Sequence, residues 1–413
     1  MSTNRNTRAT RAVRAAIATD KHHGAVVPPI HLSSTYAFTA FKEKGRYDYT
    51  RSGNPTRDHL AEALAALEEG CGAVVTSSGM SAVALALQLV GPGGRVLAAH
   101  DCYGGTYRLL RALEARGQIE LCFTNLTAPT AEAEIARCAP AMVWVETPSN
   151  PLLRITDVRA VCAAARRVGA IAVVDNTFLS PALQRPIMLG ADIVVHSTTK
   201  YLNGHSDVVG GAVIAKDPAH LEKLGWWANC LGLTGAPFDS YLTLRGVRTL
   251  FPRVRAHEEN ARIVARVLDE HPAVIAVHYP GLKTHPGHAL ATAQQDGYGA
   301  MVSFEVAGGE GAVRELTAAL ECFTLAESLG GVESLIAHPA TMTHASMDAE
   351  ARRIAGIGDG LLRLSVGIED AADLVKDLVR ALDAVSARAL VEAGQARSQR
   401  RKQRQPNSRA ARA

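Results

Sequence analysis

The stretch 171–200, IAVVDNTFLSPALQRPIMLGADIVVHSTTK, contains two runs rich in β-branched residues, Ile171-Ala172-Val173-Val174 and Asp192-Ile193-Val194-Val195-His196. Short continuous apolar runs read as strands buried on both faces, as in a parallel sheet wrapped by helices. Ligands of open α/β sheets bind beyond the carboxyl ends of the strands. The polar residues that close these runs, Asp175-Asn176-Thr177 and Ser197-Thr198-Thr199-Lys200, are therefore the first candidates for chemistry.

Working outward, the same alternation of helix and strand begins near residue 57. Leu60, Ala63, Leu64 and Leu67 fall at i, i+3, i+4 and i+7, with Thr56 as a candidate cap and Gly70 as a terminator. The strand Ala73 to Val75 follows. Residues 157–168 repeat the pattern before Gly169, and Gly211 to Ala215 reads as a further buried strand. The alternation weakens after Trp227. A helical stretch from Phe251 to Glu270 leads to a strand from Ala300 to Val306, and a closing helix carries Leu374, Val375, Leu378, Val379, Leu382 and Val385. The expected division is an extended arm over 1–56, a large α/β domain over 57–256, a smaller C-terminal α/β domain over 257–395 and a basic disordered tail over 396–413.

The 413 residues are 47% hydrophobic and 20% charged, as in an ordinary globular protein. The net charge of +4 is misleading. Arg397, Arg400, Arg401, Lys402, Arg404, Arg409 and Arg412 lie in the last seventeen residues, which hold no acid, so +4 less these seven leaves −3 for the rest. Basicity thus belongs to a Gln, Arg and Ser-rich tail without apolar periodicity, read as solvated and not as a nucleic-acid arm. The seven cysteines are odd in number and form no C-x-x-C pair, which argues against a disulfide framework or a zinc site and for a reducing, cytoplasmic compartment. No run approaches 18 apolar residues, so no membrane span is expected.

A lysine at one strand exit and an aspartate at the next suit pyridoxal phosphate, which needs an amine for its aldehyde and a carboxylate to keep its ring nitrogen protonated. On this pairing alone, a turn-capping Asp175 and a solvated Lys200 remain an equal alternative. Two further clusters bear on the choice. Ser77-Ser78-Gly79-Met80-Ser81 opens a helix with small residues, which lets backbone N–H groups approach an anion. Glu146-Thr147-Pro148-Ser149-Asn150-Pro151 follows the strand Met142 to Val145, and its prolines fix the loop that presents Asn150. No G-x-G-x-x-G follows a strand, so a dinucleotide site is excluded.

Together these clusters resemble the Cys/Met-metabolism family of pyridoxal-phosphate enzymes. The resemblance runs from about Pro28 to Val385 and rests on Tyr49-Thr50-Arg51-Ser52-Gly53-Asn54-Pro55-Thr56, Ser78-Gly79-Met80, Asp101-Cys102-Tyr103-Gly104-Gly105, Glu146-Thr147-Pro148, Asp175-Asn176-Thr177, Ser197-Thr198-Thr199-Lys200-Tyr201, Ser328-Leu329-Gly330-Gly331-Val332-Glu333-Ser334 and Arg363-Leu364-Ser365-Val366-Gly367. It implies the aspartate-aminotransferase-type fold, fold type I, with a mostly parallel seven-stranded sheet in the large domain and a smaller C-terminal α/β domain. It implies Lys200 as the imine lysine and proton carrier, Asp175 as partner of the ring nitrogen, and Tyr103 as the ring stacked on the cofactor. Phosphate contacts fall to Gly79, Met80, Ser197 and Thr199, with Thr177 also at the cofactor. Tyr49 and Arg51 would reach in from a neighbouring subunit, which makes a homotetramer the expected assembly. Arg363, with Asn150 and Ser328, would hold the α-carboxylate of an amino-acid substrate.

Members of the family differ in the bond broken and the acceptor. Gly105 departs from methionine γ-lyases, which carry cysteine there, and Leu329 from cystathionine β-lyases, which carry tryptophan. Glu333, a candidate substrate contact, occurs in both remaining classes. The stretches around Trp226, Asp239, Asp175 and Asp101 resemble most the bacterial members that replace the acyl group of an O-acylhomoserine, usually succinylated, by the thiol of cysteine. Elimination from cystathionine is the runner-up, and a non-catalytic protein using the basic tail is the alternative of another kind. Asp48 and Arg108 are candidates for the distal part of the substrates, Arg108 for a succinyl carboxylate, with salt-bridged rim residues as the other reading.

Overall fold

The computed structural model describes residues 6–385 apart from Ser346 and Asp348. The expected basic tail therefore lies outside the described residues.

Seven strands form the first sheet: β1 (Gly72–Thr76), β2 (Arg95–Ala99), β3 (Glu120–Thr124), β4 (Met142–Glu146), β5 (Ile171–Asp175), β6 (Ile193–Ser197) and β7 (Gly211–Ala215), in the order β1-β7-β6-β5-β4-β2-β3. Only β7 runs against the others, pairing antiparallel with both β1 and β6. The mostly parallel seven-stranded sheet of a fold type I enzyme is thus present. Alternate residues of each strand face two separate apolar layers: Val143, Val145 and Val174 on one side, Trp144, Val173 and Val195 on the other. Burial on both faces is why these strands read as continuous apolar runs.

A second sheet of five strands, β8 (Val274–His278), β9 (Met301–Val306), β10 (Thr324–Leu325), β11 (Leu335–Ala337) and β12 (Leu361–Ser365), has the order β10-β11-β12-β9-β8 and is antiparallel except for β10 with β11. The helix Leu250–Glu270 crosses the expected division at 256/257 without a break, and a closing helix over 371–385 carries the buried Leu374, Leu378 and Leu382.

Two local readings are corrected. The helix α2 (Pro55–Glu68), which follows α1 (Arg8–Val13), is capped by Asn54 and not by Thr56. The Asn54 side chain accepts from the backbone N–H groups of Thr56 and Arg57, with Pro55 in the first helical position where its missing N–H costs nothing. The Thr56 hydroxyl instead accepts from the His31 N–H at 2.9 Å. The arm, expected to be extended, begins with α1. Its Ala12 is 1% exposed, Arg8 donates to the Pro181 carbonyl at 2.7 Å and pairs with Asp296 at 2.6 Å, and Arg11 pairs with Glu69 at 2.7 Å.

No helix among the described residues is long and apolar enough to cross a membrane, and all seven cysteines are unpaired.

Candidate active site

The carboxyl ends of β4, β5 and β6 meet the amino end of α3 (Gly79–Leu87) and the start of α4 (Gly104–Ala115) around one cavity of about 690 Å³. Glu146 and Asp175 end neighbouring strands and are register partners. Asp175 accepts from the Thr177 N–H at 2.9 Å, and the Thr177 hydroxyl accepts from the Ser197 N–H at 2.9 Å, which locks the exits of β5 and β6 together. Burial raises the Asp175 carboxyl, against the Thr177 hydrogen bonds and the charge of His196. Burial, and then repulsion from Asp175, lifts Glu146 further, although it accepts from the Tyr103 N–H at 2.7 Å. Of two adjacent carboxyl groups, Asp175 is thus the better placed to stay ionised.

Lys200 follows β6. Burial and the neighbouring Arg363 guanidinium bring its ammonium down to about 8, opposed by Glu327. Its Nζ donates to the Ser328 hydroxyl at 2.6 Å. Ser328 itself has φ 94°, a left-handed conformation that costs a non-glycine residue about 1–3 kcal/mol. Its carbonyl accepts from Arg363 at 3.0 Å. Arg363, on β12, is 3% exposed and donates also to the Asn150 side-chain oxygen at 2.9 Å, while its Nε has no partner. Arg363 lines the cavity, and a guanidinium there has the donor geometry for a carboxylate. Asn150 therefore aims Arg363.

The donor set fits pyridoxal phosphate. A Cβ on Gly79 would stand 2.7 Å from Ser197 Cβ, so only glycine lets the first turn of α3 approach the Ser197 hydroxyl. Ser78 caps that turn by accepting from the Ser81 N–H at 3.0 Å, leaving the other N–H groups of the helix end for an anion. Met80 and Thr199 line the same cavity, with the Thr199 hydroxyl held by Gly210 at 3.2 Å. Tyr103 lies 43% exposed at the cavity wall.

The structure therefore gathers Lys200, Asp175, Tyr103, Gly79, Met80, Thr177, Ser197, Thr199, Asn150, Ser328, Arg363 and Arg108 around one cavity. Four expected residues do not line it. Tyr49 is half exposed, and Arg51 donates to the Asn229 side chain at 2.9 Å. Asp48 accepts from the Tyr49 N–H and pairs with Lys44 at 3.2 Å. Glu333 accepts from the Ser206 hydroxyl. Two lining carboxylates were missed as site residues, Glu146 and Glu327. The rule that points to Asp175, a polar residue ending a buried run, also selects Glu146; Glu327 carries no such signal.

A family model described as "Cys/Met metabolism PLP-dependent enzyme" matches residues 9–383. The chain is 55% identical over 375 residues to the cystathionine gamma-synthase of Escherichia coli (strain K12), covering 90% of this chain and 96% of the relative. Among solved structures it is similar to cystathionine gamma synthase from Xanthomonas oryzae pv. oryzae in complex with cystathionine, at 60% identity and a TM-score of 0.91, covering 92% of this chain and 99% of that one. It is also similar to a cystathione gamma lyase from Micromonospora echinospora, at 45% identity and a TM-score of 0.88, with coverage of 92% and 99%.

Proposed function

The chain belongs to the Cys/Met metabolism family of pyridoxal-phosphate enzymes, and on that premise we propose that it exchanges the acyl group of O-succinyl-L-homoserine for L-cysteine, giving L-cystathionine and succinate. The observation that carries this reading is the 55% identity across 90% of the chain to a cystathionine gamma-synthase. When bound, pyridoxal phosphate supplies the electron sink that lets protons leave the carbons next to an amino group. The residues of the chain do the rest.

Lys200 would hold the cofactor through its amine, and as a free amine, with its ammonium brought to about 8, it would give and take protons near neutrality. Asp175 would partner the ring nitrogen, and Tyr103 would cover the ring. Gly79, Met80, Ser197 and Thr199 cradle the phosphate, with Thr177 fixing the strand ends between them. Arg363, oriented by Asn150 and Ser328, takes the α-carboxylate. Arg108 lines the cavity with no hydrogen bond or ion pair among the described residues, and is the cation for the succinyl carboxylate. Asp48 and Glu333 are assigned to the outer reach of the substrates.

The assembly is a homotetramer in which Tyr49 and Arg51 of one subunit complete the phosphate site of another. In support, both stand outside the cavity of their own chain, and Phe41, Trp226 and Phe238 are each more than half exposed. Unpaired cysteines support a cytoplasmic setting. We divide the chain into arm, large domain and small domain near residues 56 and 256, the second boundary lying within the continuous helix Leu250–Glu270.

Product analysis tests the activity. Purified protein given O-succinylhomoserine and cysteine is expected to release succinate and form cystathionine faster than it breaks down cystathionine offered alone. Faster breakdown, with 2-oxobutyrate as product, would overturn the assignment in favour of γ-elimination.

A further inference from the structure

The segment Tyr49-Thr50-Arg51 presents two exposed side chains on a backbone that is held from beneath. Arg57, on the first turn of α2, is 7% exposed and forms no ion pair among the described residues. Its guanidinium donates instead to three backbone carbonyls: Thr50 at 2.6 Å, Arg51 at 3.3 Å and Gly235 at 3.2 Å. Burying a guanidinium without a carboxylate costs free energy, so such a residue is retained for what its fixed fork of donors holds in place.

The same helical turn grips the segment at further points. Asn54, fully buried, donates to the Thr50 hydroxyl at 3.3 Å, the Tyr36 hydroxyl at 3.1 Å and the His31 carbonyl at 2.9 Å. Asp58 accepts from the Tyr47 hydroxyl at 2.7 Å. From the other side Thr234 donates to the Arg51 carbonyl at 3.3 Å. The Arg51 guanidinium lies 5.3 Å from the Tyr49 ring centroid, so both side chains project together.

We propose that Arg57 is a positioning residue: its donors clamp the Thr50 and Arg51 carbonyls, so that Tyr49 and Arg51 are presented ready to bind the phosphate of a neighbouring subunit's cofactor. This rests on the reading of the arm given above. A recognition element ordered before contact loses less conformational freedom on binding, so the clamp acts on cofactor affinity without touching the cofactor.

The test follows release of pyridoxal phosphate from purified oligomeric holoenzyme by absorbance, together with hydrogen exchange of residues 47–53 and 171–200. Arg51→Ala is expected to speed release about tenfold or more, the loss of one charge-assisted contact. Arg57→Lys, which keeps the charge but not the fork, is expected to speed it about tenfold, and Thr234→Val about threefold, by the same reasoning. In both, exchange should rise over 47–53 while 171–200 stays protected. If Arg51→Ala releases quickly but Arg57→Lys and Thr234→Val hold the cofactor as the parent does, the clamp is refuted and the arm's role stands. If Arg51→Ala itself releases at the parent rate, the arm does not serve the phosphate and the proposal falls with it. If Arg57→Lys exchanges faster everywhere and Thr234→Val releases normally, Arg57 is merely structural.

Discussion

At the scale of single residues, Lys200 is governed by its surroundings. An amine attacks an aldehyde only when neutral, and burial with the nearby Arg363 charge brings its neutral form within reach at about pH 8, well below the ordinary lysine value near 10.4. Capture of pyridoxal phosphate by cofactor-free protein should therefore accelerate as pH rises through about 8. Arg363→Met removes a positive neighbour, so the ammonium form gains and the midpoint should move to higher pH. A midpoint that stays put or falls, read from capture rates across pH 6–10, contradicts this account. Lys200→Ala should abolish the absorbance of covalently held cofactor and lower kcat by about 10²–10⁴, the range lost with a positioned acid–base group.

At the scale of elements, the shape of the cavity depends on close approach at the amino end of α3. A methyl group on Gly79 would meet Ser197 Cβ at 2.7 Å and its Cα at 3.0 Å. Gly79→Ala should thus prise the helix from β6 and raise the dissociation constant of pyridoxal phosphate about tenfold, the equivalent of one good hydrogen bond to an anion; equilibrium dialysis measures it. Gly105→Ala acts differently, since its Cβ would meet the Tyr103 ring at 2.6 Å and Met80 Sδ at 2.8 Å. The displaced ring should alter the bound cofactor's visible circular dichroism while thermal unfolding changes little. Much of this layer was legible beforehand. Asp175, Ser197 and Lys200 end or follow apolar runs whose burial on both faces leaves a plain sequence signal. The antiparallel run of β7 was not, because Gly211 to Ala215 is as apolar as a parallel strand and direction depends on the connection. The helix α1 was hidden in a polar, Arg-rich segment with Ala12 as its one buried residue. The Asn54 cap was passed over for Thr56, although Pro55 at the first helical position marks the residue before it as the cap. Tyr49 and Arg51 were expected at the cofactor of a neighbouring subunit, and they stand outside the cavity of their own chain.

At the scale of the whole molecule, several histidines are buried in neutral form. Burial brings His257, His285 and His344 to about 4, with Arg253 adding to the effect at His257, His278 at His285 and Arg363 at His344. The unfolded chain binds these protons below about 6.5 and the folded protein only near 4, so stability is present above 6.5 and is lost as pH falls between these values. Each contributes up to roughly 2 kcal/mol between pH 7 and pH 5. Urea midpoints should fall over that interval, and His344→Gln should flatten the fall. A pH dependence left unchanged by His344→Gln would refute neutral burial of His344.

The arm brings a last consequence. Ala12 is sunk in the body at one end and Asn54 at the other, so the excursion between them is a closed loop and not a dangling tail. Its configurational freedom is already curtailed, and the cost of closure grows only as about (3/2)RT ln n with its length. A single proteolytic cut between α1 and Tyr36 would turn the loop into a tether with a free end, held only through Asn54 and the residues that follow it.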